Sequence, residues 1–380
     1  MSPGTETVSP GFGLMSRIAR GLRKHPAVWV AIVLWIASNL FVSVIGRIAT
    51  WEQHAKYYGP ADLCRLDCGW YSTIITDGYG KLPRPDGTSN WPFHPLLPLS
   101  AYPLVQWLGL PLGVGLVLAI KLALLLAIYG FLLLLGQDTT TLADRVMAGS
   151  LVAFNPYVIY AHAGYAEPLY FAMLTFAFYF ASRKEWIASG IAGALTSASR
   201  VIGFVFAVPY FVAWMNDCGW RPRWRDSKQL LGLLLCPLGT LLFMLYLYHH
   251  MGDALAQVHG NIAWNKSPGN PFAVLWHALQ AHHWPRVWAV MAIASFAGSA
   301  YLFKLRKPEL AIYLLISMLL SISGGYSALA RYVWWQPPFI CAIYYFLKRH
   351  SSWLPIYSAF SAGMASFLII EWFSGHSFIV

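Results

Sequence analysis

Apolar residues run in long blocks along the chain, and short intervening stretches hold most of its charge. A helix needs about 20 apolar residues to cross the hydrocarbon core of a bilayer. The first block, residues 26 to 48, meets that length. It is too long for a signal-peptide core and no small-residue cleavage pattern follows, so a retained first span is expected. Further blocks lie near residues 112–136, 143–160, 165–182, 186–199, 201–215, 229–248, 286–303, 308–322, 331–347 and 353–373. This pattern predicts an all-α polytopic membrane protein of about eleven spans. The pair around Arg200 is short for crossing; as half-helices meeting at a cavity it would leave nine spans and a re-entrant pair. The expected organisation is a tail over residues 1–25 and one transmembrane domain over 26–380, with two long loops at 49–92 and 249–285.

Composition agrees: 58% of residues are hydrophobic and 11% charged, against roughly 45–50% and about 25% in soluble domains. So many spans leave no room for a separate soluble catalytic domain. The net charge of +11 would suggest nucleic acid in a soluble chain, yet the positions of the cations account for it. Loops assigned to the cytoplasm hold Arg17, Arg20, Arg23, Lys24, Arg145, Arg183, Lys184, Arg221, Arg223, Arg225, Lys228, Lys304, Arg306, Lys307, Lys348 and Arg349, 16 of the 26 basic residues. Nine lie outside, and Lys121 falls within a block. That bias predicts a cytoplasmic N-terminus, an extracytoplasmic C-terminus and both long loops outside. Nucleic acid is set aside as a partner.

Candidate chemistry gathers on the outer side. The first long loop carries Glu52, Asp62, Asp67, Asp77 and Asp86 among aromatics and glycines, and leads into Trp91-Pro92-Phe93-His94-Pro95-Leu96-Leu97-Pro98. Glu167 follows the third block between Tyr165-Ala166 and Pro168. Arg200 separates two apolar blocks and Arg331 opens another. A cation at bilayer depth costs about 2.5–3.5 kcal/mol on insertion scales, so each arginine needs a partner, and a lipid phosphate is one. Carboxylates and arginines converging on the outer face are what glycosyl transfer from a lipid phosphate requires: a base for the acceptor hydroxyl and cations for the departing phosphate.

Leu66-Asp67-Cys68-Gly69-Trp70-Tyr71 through Asp77-Gly78-Tyr79, an Asp followed by an aromatic pair, an Ile and Gly-Tyr, resembles the first-loop motif of the PIG-V-like mannosyltransferases (GPI mannosyltransferase 2-related) of the GT-C superfamily. Phe93 to Pro98 is similar to that family's Phe-Phe-Pro-Leu-Tyr-Pro run. Asn155-Pro156 with Tyr165-Ala166-Glu167-Pro168-Leu169-Tyr170, then Ser199-Arg200-Val201-Ile202-Gly203, Gly252-Asp253 and Ala330-Arg331-Tyr332, follow in the family's order. The chain departs at Leu66 (usually Trp), His94 (Phe), Leu97 (Tyr) and Ala166 (Ser). The resemblance implies a GT-C helix bundle and an inverting transfer of mannose from polyprenyl-phosphate mannose. The acceptor would be a glycolipid, glycan or protein hydroxyl. It implies Asp67 as catalytic base, with Glu167, Arg200, Arg331, Trp70, Tyr71 and His94 as substrate-binding candidates. A short chain of this kind looks like a bacterial member of the cytoplasmic (inner) membrane; a eukaryotic one would lie in the endoplasmic reticulum.

Plainer roles stand beside these. Asp67 could order its loop, Asp77 beside Gly78 suits a turn, and Asp62 and Asp86 suit solvent. Glu167 either pairs with Arg200 structurally or contacts substrate or metal. Arg200 and Arg331 could snorkel to the interface. The histidines of the second loop match no standard zinc spacing, so no metal or other cofactor is assigned, although a divalent ion remains open. Cys64 and Cys68 flank Asp67; a disulfide between them would rigidify the catalytic turn, but i, i+4 positions in a helix would strain it, so the bridge is disfavoured and left open. The expected activity is a polyprenyl-phosphate-mannose-dependent glycosyltransferase; the alternative is a polyprenol-linked flippase or secondary transporter.

Overall fold

A computed structural model describes residues 25–52, 59–223, 225–264, 266 and 268–375. The basic tail residues Arg17, Arg20, Arg23 and Lys24, and Lys56 of the first loop, lie outside the described residues. Every described element is helical. The first, α1 (Pro26–Glu52), opens on a proline, which suits a position with no intrahelical donor to lose. Val30, Ala31, Leu34, Ser38 and Val42 form its buried stripe at helical spacing, while Val33, Leu40, Val44 and Ile48 stay exposed on the other face. Such an apolar outer face suits lipid.

Next come α2 (Asp67–Asp77), α3 (Leu96–Gln106), α4 (Leu112–Leu134), α5 (Leu142–Ala153), α6 (Glu167–Ser182) and α7 (Trp186–Ser199). Helices α8 (Ala207–Asp217), α9 (Ser227–Leu235), α10 (Leu238–Met251), α11 (Ala256–His259) and α12 (Pro271–Gln280) follow. The chain closes with α13 (Trp284–Lys304), α14 (Pro308–Ser323), α15 (Leu329–Trp334), α16 (Pro337–Arg349) and α17 (Leu354–Ser374). Among the described residues, four helices are long and apolar enough to cross a membrane: α1, α4, α13 and α17 with its preceding turn. The pair α9 and α10 makes a fifth if counted as one span bent by 47°. The bend falls at Cys236-Pro237, where proline has no N–H for the helical ladder.

One contiguous apolar core runs from Val30 of α1 to Phe373 of α17. Helix α6 packs between α4 and α7, and α7 in turn against α9. Gly190 and Gly232 permit the last contact: a Cβ at Gly190 would sit 2.4 Å from the Gly232 carbonyl oxygen.

Three apolar blocks are less regular than their hydropathy. The block at 143–160 stops being α-helical at Ala153; the side chain of Asn155 accepts from the Tyr157 N–H at 2.7 Å and turns the chain. The block at 331–347 divides at Trp335-Gln336 because Gln336 precedes a proline and is extended at φ −99°, ψ 112°. Between α7 and α8, Arg200 is an extended joint followed by a 3₁₀ turn, Val201–Phe206.

The two long loops pack on each other. His250 Nε2 lies 2.8 Å from the Tyr79 carbonyl oxygen. Trp264 meets Trp70 and Phe93 edge-on, with ring centroids 5.4 and 6.2 Å apart.

Candidate functional site

Chain breaks supply the charged groups. Asp67 and Glu167 each begin a helix, where backbone N–H groups favour negative charge. Arg200 occupies the extended joint after α7, and Arg331 sits in the short α15. These four residues, dispersed over 265 positions of sequence, form one chain of ion contacts. Arg331 Nη1 donates to Asp67 Oδ2 at 3.2 Å. Its Nε lies 3.1 Å from Glu167 Oε1, an ion contact without aligned hydrogen-bond geometry. Arg200 Nη1 donates to the same Glu167 oxygen at 2.5 Å.

Burial makes the arrangement consequential. The Glu167 and Arg331 side chains keep 3% and 6% of their exposure, whereas Asp67 keeps 22%, directed to a cavity that it lines. Removing one member of a buried pair leaves the other charge uncompensated, at a cost of about 3–5 kcal/mol. Burial pushes the Asp67 carboxyl above the ordinary carboxylate range, and the Arg331 guanidinium pulls it partly back. The outcome is a carboxylate closer in basicity to what proton abstraction at neutral pH needs.

The cavity has a volume of about 280 Å³. On its cationic side Arg200 stands over the Tyr332 ring, 4.5 Å from Cζ to the centroid, and Lys266 donates to the Tyr332 hydroxyl at 2.6 Å. Tyr71, Phe93 and Trp264 also line the cavity. The Trp264 indole N–H is buried without a hydrogen-bond partner among the described residues. Anion-binding groups and aromatic ones thus share one cavity with Asp67.

His94 lines the cavity as well but is only 3% exposed. Its Nδ1 lies 3.1 Å from the Ser197 carbonyl oxygen, and burial pushes its pKa down to about 3, so the ring is neutral and Nδ1–H donates. Trp70 does not line the cavity. Phe93 stacks on the indole at 5.7 Å and the Arg84 guanidinium lies 4.0 Å from its centroid, so those partners occupy the ring. Its placement is that of a support behind Phe93.

Of the two alternatives for Cys64 and Cys68, the disfavoured one is found: they form a disulfide with Cα atoms 5.1 Å apart. The sequence argument placed both in one helix, but α2 begins only at Asp67, and Cys64 lies in the preceding turn. There the Cys68 N–H donates to the Arg65 carbonyl at 3.2 Å, and Leu66 sits at φ 56°, ψ −116°. Those are the angles of the first central residue of a type II′ turn, a position dominated by glycine.

Lys266 and Tyr332 are the site residues that pattern reasoning passed over. Lys266 registers in the sequence only as one outer cation, and Tyr332 only as the end of Ala330-Arg331-Tyr332. Asp62 and Asp86 order local turns by accepting from the Gly59 and Thr88 backbone N–H groups, and neither lines the cavity. Among the described residues, no group of three or more His, Cys, Asp or Glu side chains is placed to hold a metal ion. Both buried carboxylates are engaged by Arg331. Compared with family models, characterised proteins and solved structures, the chain matches none.

Proposed function

We propose that this chain is a glycosyltransferase that moves a mannosyl unit from polyprenyl-phosphate mannose to a hydroxyl acceptor outside the cytoplasm. The observation that carries the proposal is one cavity holding an accessible, basicity-raised carboxylate at Asp67 beside Arg200, Arg331 and Lys266. In the reaction, the acceptor oxygen attacks the anomeric carbon as its proton passes to Asp67. The bond from that carbon to the phosphate oxygen breaks, and polyprenyl phosphate leaves with the electron pair. A phosphate is a good leaving group, so the donor side needs charge stabilisation more than a general acid. Single displacement inverts the anomeric configuration. Arg200 serves the phosphate directly, while Arg331, shared by two carboxylates, holds Asp67 in place.

This reading includes the topology expected from the charges: eleven spans or nine with a re-entrant pair, a cytoplasmic N-terminus, and both long loops outside. It also includes a GT-C bundle of the PIG-V-like kind in a bacterial inner membrane, with a glycolipid, glycan or protein acceptor. The test is to incubate purified protein in detergent with synthetic polyprenyl-phosphate mannose and acceptor lipids and to measure polyprenyl phosphate release. No release with any acceptor would sink it.

A second reading, a polyprenol-linked flippase or secondary transporter, draws on the break at Cys236-Pro237, which adds a broken apolar stretch to the one at Arg200. Lipid translocation in reconstituted vesicles without release of polyprenyl phosphate would favour it.

A further inference from the structure

The turn before Asp67 has a conformation its sequence does not favour. Leu66 occupies a glycine position of a type II′ turn, and a side chain there persists only where the surroundings over-determine the backbone. Three features do so. The Cys64–Cys68 bridge closes a ring over residues 64 to 68, around Leu66 and Asp67. The bridge is seated between two glycines: a Cβ at Gly164 would lie 2.4 Å from Cys68 Sγ, and one at Gly113 would lie 3.2 Å from Cys64 Cβ. The Asp67 N–H faces the Tyr165 hydroxyl at 3.4 Å, one residue beyond Gly164. The ring is thereby registered against α4 and the segment leading into α6, which also carries Glu167.

We propose that the Cys64–Cys68 disulfide is a positioning element for the Asp67 carboxylate, holding Leu66 in its turn so that Asp67 meets Arg331 and faces the cavity. Without the bridge, Leu66 relaxes to negative φ and the start of α2 rotates. The carboxylate then leaves Arg331, while Arg200 and Lys266 keep their places in the cavity lining. The mechanism makes glycine at position 66 a substitute for the disulfide, because glycine adopts this conformation without steric cost.

This inference rests on the transferase reading for its kinetic arm and stands apart from it for its structural arm. In the kinetic arm, Cys64→Ser/Cys68→Ser should lower kcat by about 10²-fold, the scale of a misplacement near 1 Å, with KM for the donor little changed. Adding Leu66→Gly to that double variant should restore most of kcat. In the structural arm, thermal unfolding is followed for Asp67→Asn, Arg331→Lys and both together. Their effects should be coupled in the disulfide-bonded protein and additive in the disulfide-free one. If the bridge only stabilised the fold, its removal would lower every Tm alike and leave the coupling intact. Persistent coupling without the disulfide, or no recovery with Leu66→Gly, would overturn the proposal. If wild-type protein released no polyprenyl phosphate, the transferase reading would fall and the unfolding comparison would still decide this one.

Discussion

Two cavities lie at opposite ends of α6 and α14, and they handle charge differently. The larger, about 690 Å³, is lined near its rim by Asp138, Arg183, Lys184, Asp217, Lys307 and Glu309. There the ion pairs are separate: Lys307 with Asp138 at 3.4 Å, Lys184 with Asp217, and Arg183 with Glu185 at 3.6 Å, the last keeping 58% and 50% of their exposure. With at least one partner of each pair well exposed, such pairs contribute about 0–1 kcal/mol each. At the smaller cavity, Asp67, Arg331, Glu167 and Arg200 share partners and lie mostly out of solvent. Volume therefore does not locate the chemistry here. What distinguishes the smaller site is that its charges depend on one another and one of them remains accessible.

The contrast can be broken most severely at the carboxylates. Asp67→Asn keeps the shape and removes the basicity, so turnover should fall by about 10²–10⁴-fold with donor binding retained. Asp138→Asn in the larger cavity should stay within about twofold, as for an ordinary surface change. Near-normal turnover in Asp67→Asn with an inactive Glu167→Gln would transfer the base to Glu167.

Stability should differ in the same direction. Arg331→Ala leaves Asp67 without its ion partner and Glu167 with Arg200 alone, and should cost about 3–5 kcal/mol in unfolding measurements, whereas Lys184→Ala should cost less than about 1 kcal/mol. Equal losses would mean that sharing adds nothing to the energetics.

A smaller effect is expected from Arg200→Ala, which should weaken donor binding by about 1.5–3 kcal/mol, the range for a hydrogen bond to a charged group. Titration with polyprenyl-phosphate mannose measures it. Unchanged affinity in a less stable protein would make Arg200 a structural partner of Glu167 only.

The pH profile gives the mildest discrimination. Asp67 must be ionised to take a proton, and burial raises its pKa, so turnover should fall as pH drops through a value above the ordinary aspartate pKa of about 3.9. An acid limb at or below the ordinary value would place the base in a more solvated carboxylate.

Hydropathy made α1, α4, α13 and α17 legible, because a long apolar run has few ways to bury its backbone except as a helix. The breaks inside other blocks were harder to see. Arg200 announced one by its charge, but the division at Gln336 depends on a residue-before-proline effect that an average over the block conceals. The four charged residues could be nominated singly, since each is costly at its depth. Their sharing of Glu167 Oε1 joins α6, the joint after α7 and α15, a tertiary fact that local spacing does not encode. Lys266 was invisible for the converse reason: a lysine in an outer loop is cheap to place, so nothing in its neighbourhood demanded an explanation. The disulfide was disfavoured through an error of element boundary; three residues of misplaced helix start turned a permitted bridge into a strained one.

The doubly engaged guanidinium of Arg331 also constrains the order in which substitutions can accumulate at this site. Losing the arginine first leaves Asp67 without its ion partner beside a Glu167 that still holds Arg200, so Asp67 is the acid driven to capture a proton. Replacing Glu167 first with a neutral residue leaves Arg331 satisfied by Asp67, and only Arg200, nearer the opening, must find water or an anion. The tolerable route through sequence space therefore enters by the glutamate and reaches the arginine last, so a chain with glutamine at 167 and arginine at 331 is a viable intermediate where the reverse pairing is not.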